Sequence, residues 1–298
     1  MKLDLHSACR NSCCPQNPRL FNLSRLRAVC QVLVVLVVLT ACVRPASIVV
    51  PASSSPVASS GADLTIAAAA DLQNAFTDIG RMFEQQTGKK VTFVFGSTGQ
   101  IAQQIENGAP YDLFAAANVS YVNDLAKKGW VIEDSVALYA RGRIVIAVNK
   151  KLGIKAVKLE DLLAGDIKRI AIANPAHAPY GVAAQQALQS AGIWDKLQPK
   201  LVFGENVRQT LQYVQIGEAE VGIVALSIAN VSEVTWTLVD DKLHQPLDQA
   251  LAVVKSSKHP DLARQFIAFV ESEQGRPIMR KYGFSLPAEF KLLVTPKP

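Results

Sequence analysis

LTIAAAADLQNAFTDIGRMFEQQTGKKVTFVF, residues 64–95, sets the fold in outline. Leu64 to Ala70 is a nearly unbroken apolar run, too short for a helix and of the right length for a buried strand. Beyond Asp71 the period changes. Leu72, Ala75, Phe76, Ile79, Met82 and Phe83 recur at helical spacing on one face, and Gly88 ends the pattern. Val91–Phe95 reads as a second strand. Strand, helix and strand in so short a span make a βαβ unit, and an apolar strand without alternation implies a sheet covered on both faces.

The alternation continues outward. Gly96-Ser97-Thr98-Gly99 is a tight loop before a helix that buries Ile101 and Ile105. Strand patterns follow at Asp112–Ala116, Arg143–Val148, Arg169–Ala173, Glu220–Leu226 and Ala250–Val254. Helical patterns cover Val119–Lys128, begin at Gly181 and at Asn206, surround Leu262 to Val270, and close at Ile278–Tyr282. The expected class is α/β. No internal repeat is visible.

The chain has 298 residues, 49% of them hydrophobic and 19% charged, enough for one two-lobed domain or two ordinary ones. It is too apolar for a disordered chain, and with one long apolar run it is not a polytopic membrane protein. The formal charge of +6 is uneven: residues 1–41 hold +4 of it. What remains is close to neutral and gives no basis for nucleic-acid binding.

Residues 1–41 read as an export signal, with Arg19, Arg25 and Arg27 before the apolar core at Val32–Leu39. The apolar run spans about 15 residues, short of the roughly 20 needed to cross hydrocarbon. It ends in Leu39-Thr-Ala-Cys42, which resembles the lipobox of bacterial lipoproteins. That resemblance implies cleavage before Cys42 and acylation of its sulfur, so that the mature chain is held to the membrane by an N-terminal lipid. All five cysteines (Cys9, Cys13, Cys14, Cys30 and Cys42) lie at or before this point, leaving none for a disulfide or thiolate metal site in the exported part. Residues 42–62, rich in Pro, Ala, Ser and Val, read as a flexible tether.

In open α/β sheets, ligands bind beyond the carboxyl ends of the strands, where helices begin. Four such junctions are chemically distinctive: Ala70-Asp71-Leu72, Gly96–Gly99, Pro175–Gly181 and Glu205–Arg208. Each offers unpaired N–H groups and the partial positive charge of a helix start, and two add a hydroxyl. Singly, each reads as an ordinary helix cap. Converging, they would hold a compact tetrahedral anion without Lys or Arg.

Other chemistries find less support. Ser97 with His177 could form a hydrolytic dyad, but Gly96-Ser97-Thr98-Gly99 is not a G-x-S-x-G elbow. No phosphate-cradling glycine motif is present. Asp71 and Asp112 are too few for a metal site, and Asp112 reads as a structural strand-end residue. Tyr111, Tyr121, Tyr139 and Trp130 are too dispersed for a sugar-stacking surface.

At these junctions the chain resembles the periplasmic molybdate-binding proteins of bacterial ABC transporters. The resemblance runs from about Leu64 to Phe284. It is carried by Ala67-Ala-Ala-Ala-Asp-Leu, by Phe95-Gly-Ser-Thr-Gly with Gln104-Ile-Glu-Asn-Gly-Ala-Pro-Tyr-Asp-Leu-Phe-Ala-Ala-Ala, by Asn174-Pro-Ala-His-Ala-Pro-Tyr-Gly, by Asn206-Val-Arg, by Gly222-Ile-Val-Ala-Leu-Ser and by Arg280-Lys-Tyr-Gly-Phe. It implies a two-lobed type II periplasmic-binding-protein fold with the ligand cleft between the lobes. Residues 63–143 and 251–298 would form lobe I and residues 144–250 lobe II, with hinge strands near Ile144–Val148 and Leu251–Val254.

The implied function is capture of molybdate or tungstate outside the cytoplasm by a monomer that delivers the ion to a membrane permease, with no catalysis, cofactor or resident metal. Phosphate or sulfate is the alternative oxyanion, and a hydrolase using Ser97 the alternative class. The family's contacts fall on Asp71, on Thr98 with Ser97 beside it, on Tyr180 and on the backbone N–H of Val207. Asp71 departs from the Ser or Asn usual in the family, since a carboxylate repels a dianion. The reading adopted is that its side chain turns away as a helix cap and lends only its N–H. The other is that the ligand carries a proton, as hydrogen phosphate does.

Overall fold

The structure, a computed structural model, describes residues 63–291. The expected signal at 1–41, the tether at 42–62, the acyl acceptor Cys42 and the last seven residues lie outside the described residues.

β1 (Leu64–Ala69) passes through a 3-10 turn at Ala70–Leu72 into α1 (Gln73–Thr87). The helix ends where Gly88 takes a left-handed conformation at φ 69° and returns its N–H to the Glu84 carbonyl. β2 (Val91–Gly96) leads into α2 (Thr98–Glu106), and β3 (Leu113–Ala116) into α3 (Val119–Lys127). β4 (Ala137–Gly142) and β5 (Ile144–Asn149) are separated by Arg143 alone. Next come β6 (Ile170–Ala173), α4 (Pro179–Ser190), α5 (Trp194–Leu197), β7 (Leu201–Gly204) and α6 (Val207–Ile216). β8 (Val221–Ala225), α7 (Leu226–Ala229) and β9 (Val234–Leu238) follow. β10 (Leu247–Val253), α8 (Pro260–Val270), α9 (Gly275–Lys281) and α10 (Pro287–Lys291) complete the described chain.

The strands form two five-stranded sheets, ordered β2-β1-β3-β10-β4 and β7-β6-β8-β5-β9. In the first, β1 runs parallel to β2 and β3, while β10 is antiparallel to β3 and β4. The second repeats the plan: β6 is parallel to β7 and β8, and β5 is antiparallel to β8 and β9. Three parallel strands with carboxyl ends on one side thus come from each sheet.

The expected hinge segments each lie within one sheet, β5 in the second and β10 in the first. The chain crosses at Arg143 and again between β9 and β10. Leu247–Ala250, expected in lobe II, also belong to the first sheet. Asp248 and Gln249 interrupt the apolar pattern there, so the sequence shows the strand only from Ala250. Three strands are also absent from the sequence reading: β4, β7 and β9. All three are sheet edges. An edge strand need not be buried along its length, and Phe203, Trp236 and Leu238 are exposed.

Successive residues of the first sheet feed different cores, as the pleat requires. Ala67, Phe114, Ala116, Ala250 and Ala252 pack with Ile101 and Ile105 of α2 and Val122 and Leu125 of α3. Ile66, Ala68, Leu113, Leu251 and Val253 join the larger core with Phe76 and Phe83 of α1 and Phe266 of α8. Phe76 meets Phe266, Phe93 and Tyr139 with ring centroids 5.7, 5.9 and 6.1 Å away. Phe76→Ala should therefore lower unfolding free energy by about 3–5 kcal/mol. Urea denaturation at an unchanged m value is the check; a loss under about 1 kcal/mol would mean this aromatic cluster is not the core described.

Candidate functional site

β1, β2, β6 and β7 each end in a short turn to a helical segment, and these turns surround one small space. Asp71 with Ala69 and Ala70, and Ser97 and Thr98 with Gly96 and Ala117, line it from the first sheet. Ala178, Pro179, Tyr180, Asn206 and Val207 line it from the second. The structure brings together all five residues picked out in the sequence: Asp71, Ser97, Thr98, Tyr180 and Val207. The empty volume, open solvent included, is about 210 Å³. Among the described residues that line it there is no Lys, Arg or His.

Hydrogen bonding at the helix starts shows which donors are left over. The first turn of a helix has no intrahelical acceptors. In α6 the Asn206 side chain caps the turn, accepting from the N–H groups of Arg208 and Gln209 at 3.0 and 3.1 Å. The Val207 N–H remains without an acceptor among the described residues. In α4 the first position is Pro179, which has no N–H, and the Gly181 N–H reaches the Ala178 carbonyl. That leaves Tyr180. In α2 the Gly99 N–H is taken by the His177 carbonyl, and Thr98 at the first position is left. The Thr98 hydroxyl accepts from the Ala117 N–H at 3.1 Å, which orients its oxygen and leaves its proton free to donate. Cavity-facing residues thus supply donors from both sheets.

The two sides are clasped. The Gly99 N–H and the Ser97 hydroxyl both donate to the His177 carbonyl, at 2.9 and 2.7 Å, and Gln100 Nε2 donates to Glu205 at 2.6 Å. A Cβ on Gly99 would lie 2.7 Å from the His177 carbonyl oxygen, so glycine is needed for this approach.

The same contacts bear on the hydrolytic alternative. His177 Nδ1 is 2.9 Å from Ser97 Oγ. The serine proton, however, points to the His177 carbonyl, so the imidazole can only donate to Oγ. A nucleophile needs the reverse polarity. The nearest carboxylate to the other ring nitrogen, Glu205, is 3.9 Å away and exposed.

Asp71 differs from expectation. Its side chain makes no cap hydrogen bond and is fully buried. Oδ2 accepts from the Tyr180 hydroxyl at 2.9 Å and from Gln249 Nε2 at 2.7 Å. Among the described residues Oδ1 has no hydrogen-bond partner. Gln249 is in turn oriented by the Tyr139 hydroxyl, which donates to its Oε1 at 2.8 Å. The cap reading fails because the segment after β1 is a 3-10 turn and the carboxylate is enclosed by α4, β4 and β10. Tyr180 likewise directs its hydroxyl to Asp71. Burial raises the Asp71 carboxyl to about 6, against the opposing pull of the Gln249 and Tyr180 hydrogen bonds and of the residue's own main-chain N–H. Burial, with Asp71 beside them, lifts the Tyr180 and Tyr139 phenols well above their usual value.

Gln249, Tyr139 and Ala117 are the site residues that sequence reasoning missed. A buried Gln beside Asp248, near the start of a strand that is apolar from Ala250 on, was the available signal. Asp112 is structural, accepting from the Thr65 N–H and the Ser257 hydroxyl. Tyr139 is buried and neither Trp130, Tyr111 nor Tyr121 lines the cavity, so no sugar-stacking surface is assembled there. Among the described residues, no cluster of three or more His, Cys, Asp or Glu could hold a metal, and no helix is long and apolar enough to cross a membrane.

Comparison with known proteins gives the family and the fold. The family model described as bacterial extracellular solute-binding protein matches residues 64–285. The molybdate-binding protein ModA of Rhodobacter capsulatus is 32% identical over 226 residues, 74% of this chain and 88% of that one. A putative ABC transporter substrate-binding lipoprotein of Bacillus subtilis is 30% identical, covering 74% and 86%. The solved periplasmic molybdate-binding protein of Azotobacter vinelandii superposes with a TM-score of 0.71 at 29% identity, covering 76% of this chain and all of that one. The fold is of the periplasmic-binding-protein type.

Gly142 lets the two sides meet at Tyr180. A Cβ there would lie 2.1 Å from the Tyr180 hydroxyl and 2.9 Å from Gln249 Nε2. Gly142→Ala is expected to destabilise by about 1–3 kcal/mol through displacement of these groups. Gly165→Ala, at an exposed position with open space around its Cβ, should leave thermal stability within about 0.5 kcal/mol. Equal melting temperatures for the two variants would show that the Tyr180 contact is not closed in solution.

Proposed function

The chain belongs to the bacterial extracellular solute-binding protein family and within it stands with the ModA proteins, and from that premise we propose that it is the capture component of an ABC importer for molybdate or tungstate. The observation that carries this reading is the set of unclaimed donors, the N–H groups of Thr98, Tyr180 and Val207 and the Thr98 hydroxyl, around a small space without cations. Molybdate carries no proton at neutral pH and needs only donors. Fixed dipoles at helix starts supply them, and they gain strength where water is excluded.

In this proposal Asp71 and Thr98 act from one side and Tyr180 and Val207 from the other, with Ser97 holding the loop to His177. The oxyanion can engage all of them only when the sides are closed, so binding shifts the population toward the closed form. The permease would read that shape and accept the ion, with no bond in the solute changed. The protein would work as a monomer outside the cytoplasm, held beside the permease by a lipid on Cys42 after removal of residues 1–41. The relation to a putative substrate-binding lipoprotein supports the anchor. Sulfate or phosphate is the second reading, because a tetrahedral oxyanion of either kind would meet the same donors and Asp71 could accept from a protonated one.

Added molybdate should raise the melting temperature with the logarithmic concentration dependence of mass action, and no product should appear from chromogenic esters. Calorimetric titration should give tighter binding for molybdate and tungstate than for sulfate and phosphate. Thr98→Val removes one donor at nearly constant volume and should weaken molybdate binding by roughly 10–100-fold, corresponding to about 1–3 kcal/mol. Tight phosphate binding with none for molybdate would transfer the function to the second reading. For the anchor, Cys42→Ala should abolish incorporation of labelled fatty acid and release the protein from the membrane fraction.

A further inference from the structure

The two oxygens of the Asp71 carboxyl are placed unequally. Oδ2 already receives two hydrogen bonds, from the Tyr180 hydroxyl at 2.9 Å and Gln249 Nε2 at 2.7 Å. The Gln249 amide cannot turn round without loss, since the Tyr139 hydroxyl donates to its Oε1 at 2.8 Å. Oδ1 is buried and, among the described residues, without a partner, in a residue that lines the cavity and is fully inaccessible. The groups facing Asp71 are the Tyr180 phenol from α4, the Gln249 amide from β10 and the Tyr139 phenol from β4; from α7 the Ser227 hydroxyl donates to the Asp71 main-chain carbonyl at 2.8 Å. None is a cation.

Ionised, this carboxyl places a negative charge in a residue of the wall around the space assigned to a dianion, and the two repel strongly at low dielectric. Neutral, it keeps Oδ2 as acceptor for its two donors, so the proton resides on Oδ1. The repelling oxygen then becomes an O–H donor, alike in kind to the Thr98 hydroxyl. We propose that capture of the oxyanion dianion is coupled to uptake of one proton at Asp71 Oδ1, which makes Asp71 a donor to the bound ion and the residue that selects fully deprotonated oxyanions. The inference rests on the oxyanion reading of the cavity. The chemistry balances as a protonation alone: a proton leaves the solvent or buffer, an O–H bond forms at Oδ1, and the ion enters unchanged. Burial already brings the carboxyl to about 6, and a nearby dianion raises it further.

The sign follows from linkage. The complex holds one proton more than the ligand-free protein wherever the free carboxyl is ionised. Affinity is therefore flat below that ionisation and falls by about tenfold per pH unit above it. Molybdate titrations of the full chain at pH 6, 7 and 8, each in two buffers of different ionisation heat, measure both quantities. The expected result at pH 8 is uptake of about one proton per ion and binding roughly tenfold weaker than at pH 7. Asp71→Asn, whose amide donates where the protonated carboxyl would, should show no uptake and a flat affinity. An infrared difference spectrum at pH 8 should show a protonated carboxyl appearing on molybdate addition, a readout that needs no variant to fold. Binding by the wild type without proton uptake, or an unchanged pH slope in Asp71→Asn, would overturn the inference and leave the oxyanion reading standing. Absence of any molybdate binding at all three pH values would remove that reading, and the inference with it.

Discussion

A helix cannot satisfy the N–H groups of its own first turn, and this structure gathers several such helix starts around one small space. Asn206 claims two of the amides at the start of α6, and the His177 carbonyl claims one at the start of α2. The donors that remain belong to Thr98, Tyr180 and Val207, which line the cavity. Everything else positions them. The parallel strands end on the same side in each sheet, and the carboxyl ends of β1, β2, β6 and β7 carry the turns concerned. A cationic side chain would bind an anion too, but burying it between ligand visits is costly. Backbone dipoles, held by the sheets, need no such compensation.

The second organising feature is polar and lies beneath the first. Tyr139, Gln249, Asp71 and Tyr180 form a hydrogen-bonded chain that begins in β4, passes through β10 and the turn after β1, and ends at α4 of the other side. It is fully buried apart from traces at the two tyrosines. Buried polar groups of this kind specify geometry, because a misaligned member leaves an unpaired donor or acceptor. Gly142 is part of the same arrangement, since any side chain there would enter the Tyr180 hydroxyl. The carboxylate that looked like a misplaced residue in an anion site is thus a joint between the two halves.

Much of this was legible in the residues. The βαβ alternation, the strands buried on both faces and the four chemically distinctive junctions all rest on local pattern, and the five candidate contact residues do converge. What escaped depends on tertiary neighbours. β4, β7 and β9 are sheet edges, where apolar periodicity is diluted. β10 was recognised only from Ala250, because Asp248 pairs with Arg141 and Gln249 belongs to the polar chain. The direction of the Asp71 side chain was unreadable for the same reason: Asp before a helix is usually a cap, and its actual partners are 109 and 178 residues away along the chain.

The position of β10 has a consequence for how the chain assembles. It lies between β3 and β4, and among the described residues β4 has no other strand beside it in the sheet, only an isolated bridge from Arg141 to Ser285. The second sheet, by contrast, draws on one continuous stretch from Ile144 to Leu238. As residues emerge in order, the second sheet can be completed first, while β4 waits as an unpaired ribbon until Leu247–Val253 arrive to zip it to β3. The discontinuous half thus depends on the later-made segment, and an interruption between residues 238 and 247 would leave an unfinished first sheet beside a second sheet whose strands are all present.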